Sequence, residues 1–417
     1  MVERGRPVEK ITSGDLTSPE TMRDFIAFYK RLAGYGEPLC RLDDFFGMGG
    51  AWIAFHYDDV AAILKDPRFL KDMRGLAPQQ DQQEAPGEDN SVGKLVEWLK
   101  QMPNMLTVDP PDHTRLRRLA SSAFTPHMIE GLRPRIQQIA DEPLDAVEER
   151  GEMDLVADYA YPSPIIVISE MLGIPAADRN RFREWTKKLG QAALEPGQSE
   201  AVEAAIEEFV TYIKALIADK REHPGNDVTS GLVRAHDEGD KLSDNELLST
   251  IWSLITAGHE TTVNLIGNGV LALLQRPEQL RLLQEDPALI PAAVEELLRY
   301  AAPVMIIGRF AGEDMTMHGK LIRKGEMVLL SLAGANLDPQ SFANPERLDI
   351  TREENEHLAF GRGIHLCLGA PLARLEGQIA FGTLLRRSPN LRLTVRPEEL
   401  VYNYSTLRSL ASLPVRF

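Results

Sequence analysis

The stretch Phe360-Gly361-Arg362-Gly363-Ile364-His365-Leu366-Cys367-Leu368-Gly369 sets one cysteine in a glycine-rich loop, and the residues after it, Ala370-Pro371-Leu372-Ala373-Arg374, read as the start of a helix. Proline near a first helical turn supports that start, because its missing N–H would have no intrahelical partner there anyway. Cys367 is therefore expected at a helix N-terminus, where N–H groups and the positive end of the helix dipole favour the thiolate, the nucleophilic and metal-binding form of the side chain. Gly361, Gly363 and Gly369 are expected to let the backbone turn sharply and come close to a flat partner.

A lone thiolate has three uses. Zinc wants close Cys or His spacings, and the only other cysteine is Cys40, with no Cys-x-x-Cys in the chain. A cysteine nucleophile wants a histidine brought from elsewhere, and His365 is too near in sequence to serve as its base. An axial thiolate to haem iron needs one cysteine, donors around the sulfur and a loop able to lie flat against a macrocycle, and the stretch fits all of these. The competing reading is a structural loop around an inert cysteine.

Phe-Gly-x-Gly-x-His-x-Cys-x-Gly, as it stands from Phe360 to Gly369, resembles the haem-binding loop of the cytochrome P450 family, in which a cysteine thiolate pushes electron density toward O–O cleavage. The resemblance implies haem b (iron protoporphyrin IX) as cofactor, Cys367 as its metal ligand, and Phe360, Gly361, His365 and Gly369 as cofactor-binding positions.

Bulk properties agree. The 417 residues, 43% hydrophobic, can bury a large core, and without a linker or internal repeat the chain reads as one domain over residues 1–417. The polar stretch 79–91 reads as a loop, and 71–106 and 178–225 are expected to be mobile substrate-access regions. A net charge of -16 argues against nucleic-acid affinity and against anionic membrane surfaces. No apolar run approaches the ~20 residues of a membrane span. The charged first ten residues lack a signal-peptide core, so a cytoplasmic protein without a membrane anchor is expected, and two cysteines give no disulfide framework.

Along the chain, residues 18–34 read as an amphipathic helix, 51–56 as a strand and 58–65 as a helix. From 73 to 105 the periodic signal weakens, apart from a short helical piece at 92–99. Asp109-Pro110-Pro111-Asp112-His113 then opens a basic helix with His113 and Arg117 on one face. By itself that is a solvated basic face; the resemblance places its His and Arg on a haem propionate. Residues 154–173 and 178–222 are helical in pattern, the latter interrupted near Pro196-Gly197.

Ser243 and Glu246 have capping-box spacing, and the apolar run they open continues past Leu274, about 45 Å of helix. Its middle reads Thr256-Ala257-Gly258-His259-Glu260-Thr261-Thr262, a polar cluster that a buried helix must account for. One account is a kink, with Thr261 bonding the Ala257 carbonyl and Gly258 relieving the packing. The resemblance adds a function: Ala257 and Gly258 let the helix lie over a haem face, Glu260 and Thr261 form the catalytic acid–alcohol pair that relays protons, and His259 turns away.

Glu296 and Arg299, three apart, are by themselves an ordinary helix ion pair. Their place resembles the family's structural Glu-x-x-Arg, joined by an arginine after Asp338-Pro339-Gln340-Ser341-Phe342-Ala343-Asn344-Pro345; Arg347 and Arg352 are both available, and the sequence does not choose. Strands are expected at 304–311, 315–317 and 327–330. By resemblance Arg309 joins His365 on the propionates. Val304, Met305, Ile307, Ser253, Thr256, Ala257, Ser405 and Thr406 would face the substrate, with the loop Tyr404-Ser405-Thr406-Leu407 closing the pocket. Core packing is the alternative for each.

These observations imply a mainly α fold with small β-sheets, the cytochrome P450 fold, one domain enclosing a haem between the long helix and the cysteine loop. The implied activity is a haem-thiolate monooxygenase acting with dioxygen on a hydrophobic small molecule such as a fatty acid, steroid, terpenoid or polyketide macrolide. No nucleotide-binding loop or flavin domain is visible, so a ferredoxin or flavodoxin with its NAD(P)H reductase is the expected partner, near a local basic patch for which Arg118, Arg362 and Arg374 are candidates. A monomer is expected. The rival readings are a peroxide-driven haem-thiolate peroxygenase and a non-enzymatic haem sensor.

Overall fold

The structure, a computed structural model, describes residues 11–417 except 35, 47, 77–97, 99, 122–123, 193–198, 238–241 and 404. The polar loop, most of the 92–99 piece, the Pro196-Gly197 interruption and Tyr404 thus lie outside the described residues. The chain packs as two compact units, one drawn from residues 1–85, 267–367 and 391–413, the other from 86–266, 368–390 and 414–417.

The first unit is built on a five-stranded sheet in the order Leu39–Leu42, Ala51–Ala54, Met327–Ser331, Ile306–Ala311, Phe69–Leu70, with only the Ala51–Ala54 and Met327–Ser331 pair parallel. The central strand Met327–Ser331 is buried at every position, and its run of apolar residues suits a strand covered on both faces. Met315–Met317 and Lys320–Ile322 form a hairpin closed by His318 and Gly319, both at positive φ as a two-residue primed turn requires. Tyr57, Val60, Ile63, Val328, Leu330 and Leu358 belong to one continuous core cluster.

Helices make the second unit. Asp112–Ser121, Arg133–Val147, Pro162–Met171, Arg179–Ala192, Ser199–Glu222 and Ala370–Arg387 supply its apolar faces, and Leu116, Ile136, Ile168, Phe209, Ile251 and Leu375 share its core. The long helix runs Asp244–Leu274, 31 residues. Its capping box is formed as read: Ser243 N–H donates to Glu246 Oε2 at 2.8 Å and Glu246 N–H to Ser243 Oγ at 3.2 Å. Arg115 pairs with the same Glu246, tying the basic helix to this start.

Three expected elements differ, each for a local reason. The 18–34 helix is two, Pro19–Arg23 and Phe25–Gly34, because Asp24 leaves helical geometry and its carboxylate accepts from Ala27 N–H at 3.1 Å. Asp154 ends a short strand, Glu152–Asp154, paired with Pro414–Arg416. Its carboxylate accepts from Val156 N–H at 3.1 Å, opening a wide turn, Leu155–Ala160, ahead of Pro162–Met171. The expected 304–311 strand begins at Ile306, since Val304 bridges to Leu407 instead.

Candidate active site

In the first unit the backbone leading into the cysteine loop is strapped at successive positions. Tyr57 OH donates to Glu356 O at 2.6 Å, Leu358 N–H to Asn336 Oδ1 at 2.7 Å, Ala359 N–H to His357 Nδ1 at 3.2 Å, Gly361 N–H to Leu358 O at 2.8 Å and Cys367 N–H to Phe360 O at 3.0 Å. Gly361 and Gly363 have φ of +69° and +73°, and a Cβ at Gly363 would sit 2.4 Å from Leu64 O, so both conformation and space require glycine there. Gly369 corrects the sequence reading. Its φ is -81°, an ordinary value, so it makes no special turn, and it serves as N-cap to the helix beginning at Ala370, three residues beyond Cys367.

Cys367 is exposed, flanked by Ile364 at 50% and Leu366 at 46% exposure. A thiol on an apolar platform whose backbone amides are tied down fits a flat, largely apolar macrocycle with a metal at its centre. Cys40 offers nothing comparable: it is 2% exposed in a strand, and burial pushes its thiol up to about 11.

Behind this loop Glu296 and Arg299, both fully buried, pair through two hydrogen bonds of 2.8 Å. Arg299 also donates to the carbonyls of Asn336 and Pro345 at 2.8 Å and of Arg347 at 3.2 Å. Glu296 accepts from Arg352 Nε at 3.1 Å, Asp349 N–H at 3.0 Å and Asn355 Nδ2 at 3.2 Å. The choice left open by the sequence is made here: Arg352 is the third member, while Arg347 contributes a backbone carbonyl.

Arg309 is buried on the strand Ile306–Ala311 and donates to Gly308 O at 3.0 Å. Met305 has no exposed surface, its N–H bonded to Thr406 O at 3.2 Å, whereas Val304, Ile307, Ser405 and Thr406 are half-buried. Arg362 donates to Tyr57 OH and pairs with Glu356, both at 2.8 Å, so its charge is partly offset. Arg118 is exposed and Arg374 half-buried.

In the second unit the long helix absorbs its central hydroxyls into its own backbone. Ser253 Oγ donates to Thr250 O at 2.9 Å, Thr256 Oγ1 to Trp252 O at 3.0 Å and Thr261 Oγ1 to Ala257 O at 3.1 Å, the last as read. Ser253 is fully buried; Ala257 is exposed. Gly258 is packed against the helix Pro162–Met171, where a Cβ would meet Ile168 Cγ1 at 2.9 Å, so its small size serves helix packing and Ala257 is the small residue that stays accessible. His259 is buried with Nδ1 2.8 Å from Ile255 O. Burial pushes the Glu260 carboxyl up to about 7. On the basic helix, burial and then the Arg117 charge hold His113 below its ordinary value, so it presents a neutral N–H donor near neutral pH.

Several participants escaped the sequence reading. Asn336, Asn355 and His357 lie in irregular chain, where no periodicity flags them. Glu376 is buried within Ala370–Arg387, where burial pushes it up to about 8 with the Thr262 hydroxyl beside it. The available signal was an acid between Leu372, Leu375 and Ile379, all buried apolar residues.

Residues 79–399 match the family described as Cytochrome P450. The chain belongs to the cytochrome P450 family. It is 65% identical over 410 residues to cytochrome P450 CYP107DY1 of Priestia megaterium, covering 98% of this chain and all of that one. It is 45% identical over 367 residues to the polyketide biosynthesis cytochrome P450 PksS of Bacillus subtilis, with 88% of each covered. Among solved structures it resembles a myxobacterial cytochrome P450, CYP267B1, in complex with myristic acid, with a TM-score of 0.88 and 42% identity over 97% of this chain and 99% of that one. It is thus a P450 monooxygenase whose cofactor is haem with an axial cysteine thiolate, and no helix among the described residues is long and apolar enough to cross a membrane.

Proposed function

We propose that this P450 inserts one atom of dioxygen into an unactivated C–H bond, or across a double bond, of a long hydrophobic molecule. Electrons come from a separate ferredoxin or flavodoxin with its NAD(P)H reductase. Haem, when bound, supplies the oxygen-activating chemistry. Cys367 Sγ holds the iron, and His113, Arg117, Arg309 and His365 donate to the propionates, whose charge needs fixed donors. Val304, Ile307, Thr256, Ala257, Ser405 and Thr406 offer accessible surface to the substrate; the fully buried Ser253 and Met305 support it from behind.

One observation carries the reading: Glu260, its carboxyl pushed up to about 7, adjoins Thr261, whose hydroxyl is held on the Ala257 carbonyl at 3.1 Å. An acid poised there populates both protonation states at neutral pH, so it can release a proton through the threonine hydroxyl and reload. The polyketide named for PksS and the fatty acid held by CYP267B1 support a long apolar substrate.

The test supplies a surrogate ferredoxin, its reductase, NADPH and a panel of fatty acids and macrolides, in parallel with hydrogen peroxide alone. Oxygenated product dependent on NADPH and dioxygen is expected. Product formed only with peroxide would assign a peroxygenase instead.

A further inference from the structure

Among the bonds that strap residues 356–367, one depends on where a histidine carries its proton. Ala359 N–H points at His357 Nδ1 at 3.2 Å, and an N–H can only donate, so Nδ1 must be the acceptor. The ring is then the neutral tautomer with its proton on Nε2. That nitrogen lies 3.2 Å from Glu295 Oε2, on the helix Ile290–Ala301, so the proton is donated to a carboxylate. The His357 side chain is 2% exposed, and its ring lies against Phe360 with centroids 6.0 Å apart.

We propose that His357 is a positioning residue for the thiolate: Glu295 fixes its tautomer, the tautomer fixes Ala359, and Ala359 fixes the Phe360 carbonyl on which the Cys367 amide hangs at 3.0 Å. With the proton on Nδ1, two donors would face each other at Ala359 and the strap would open just ahead of Phe360. Adjacent acids on one helix thus do different work. Glu296 closes the arginine network, and Glu295 selects the imidazole form that anchors the loop. The inference rests on the reading of Cys367 as the axial ligand.

Two substitutions separate the ring's two ends. His357→Asn keeps an amide oxygen near the position of Nδ1, able to accept from Ala359, and cannot reach Glu295. His357→Gln places an amide N–H near the position of Nε2, able to donate to Glu295, and leaves Ala359 without its acceptor. In the reduced carbon monoxide complex, His357→Asn is expected to keep the thiolate-type Soret band. His357→Gln is expected to show a roughly tenfold larger fraction of the band of a displaced, protonated thiol. Histidine-selective 15N NMR of the same wild-type complex is expected to show the His357 proton on Nε2, and Glu295→Gln to weaken that preference. Asn and Gln variants with the same spectrum, or a wild-type proton on Nδ1, would overturn the inference alone. A wild-type spectrum without the thiolate band would overturn the ligand reading and the inference with it.

Discussion

Glu296 and Glu260 are both glutamates inside helices, one in each unit, and the protein treats them in opposite ways. Glu296 is fully buried and receives five hydrogen bonds: two from Arg299 and one each from Arg352, the Asp349 amide and Asn355. Glu260 meets burial without that compensation, and its carboxyl is pushed up to about 7. A buried charge surrounded by donors is locked, and a lock serves structure. A carboxyl raised toward neutrality stays able to gain and lose a proton, which serves chemistry.

The largest effect should come from breaking the lock. Glu296→Ala strands the Arg299 guanidinium as an unpaired buried charge, at a cost of about 3–5 kcal/mol. The variant should be recovered with little haem and a lowered melting temperature, read by the ratio of Soret to protein absorbance and by calorimetry. Full haem content with unchanged melting would erase the contrast from the structural side.

Next is the reactive side. Thr261→Ala removes the hydroxyl and leaves the helix, so haem content and melting should match wild type. NADPH consumption should persist, with oxygenated product falling by roughly a hundredfold and hydrogen peroxide rising in its place. Fully coupled turnover in this variant would remove the relay role.

Arg352→Met should then cost about 1–3 kcal/mol, because a charged hydrogen bond to the buried Glu296 is lost. Arg347→Ala, which keeps the backbone carbonyl that Arg299 uses, should stay within about 0.5 kcal/mol. Chemical denaturation of the pair sharpens the comparison, since equal losses would mean the network is not specific to Arg352.

The smallest effect is the pH signature of Glu260. Its folded pKa of about 7 lies above the ordinary 4.5, so the folded protein binds more protons than the unfolded chain between those values. Stability from this group is therefore whole below about 4.5 and is lost as pH rises toward 7. Relative to Glu260→Gln, wild type should lose thermal stability across that window. A difference independent of pH would mean that folding does not raise the Glu260 carboxyl.

The same contrast explains what was legible in the sequence. The cysteine loop, the long helix with its capping box, and the hydrogen bond from Thr261 to Ala257 follow from local chemistry: glycines needing positive φ, an end cap, a hydroxyl reaching back one turn. The lock was visible as Glu296 and Arg299 with either Arg347 or Arg352 as a third member, but the choice of Arg352 and the parts of Asn355 and Asn336 were not, because these three come from irregular chain brought in by tertiary folding. Gly258 had two readings in the sequence, relief of helix packing and room for a cofactor face, and the structure supports the first, with Ile168 in that place. The tautomer of His357 likewise needs both its neighbours, one two residues away and one on a distant helix.

The most direct measurement is the absorption spectrum of the purified protein, ferric and then reduced under carbon monoxide, for wild type and Cys367→Ser. Wild type should show the strongly red-shifted Soret band of thiolate-ligated haem, and Cys367→Ser should lose it. A histidine-type band in wild type, or a thiolate band that survives the substitution, would contradict the assignment of Cys367 and the mechanism built on it.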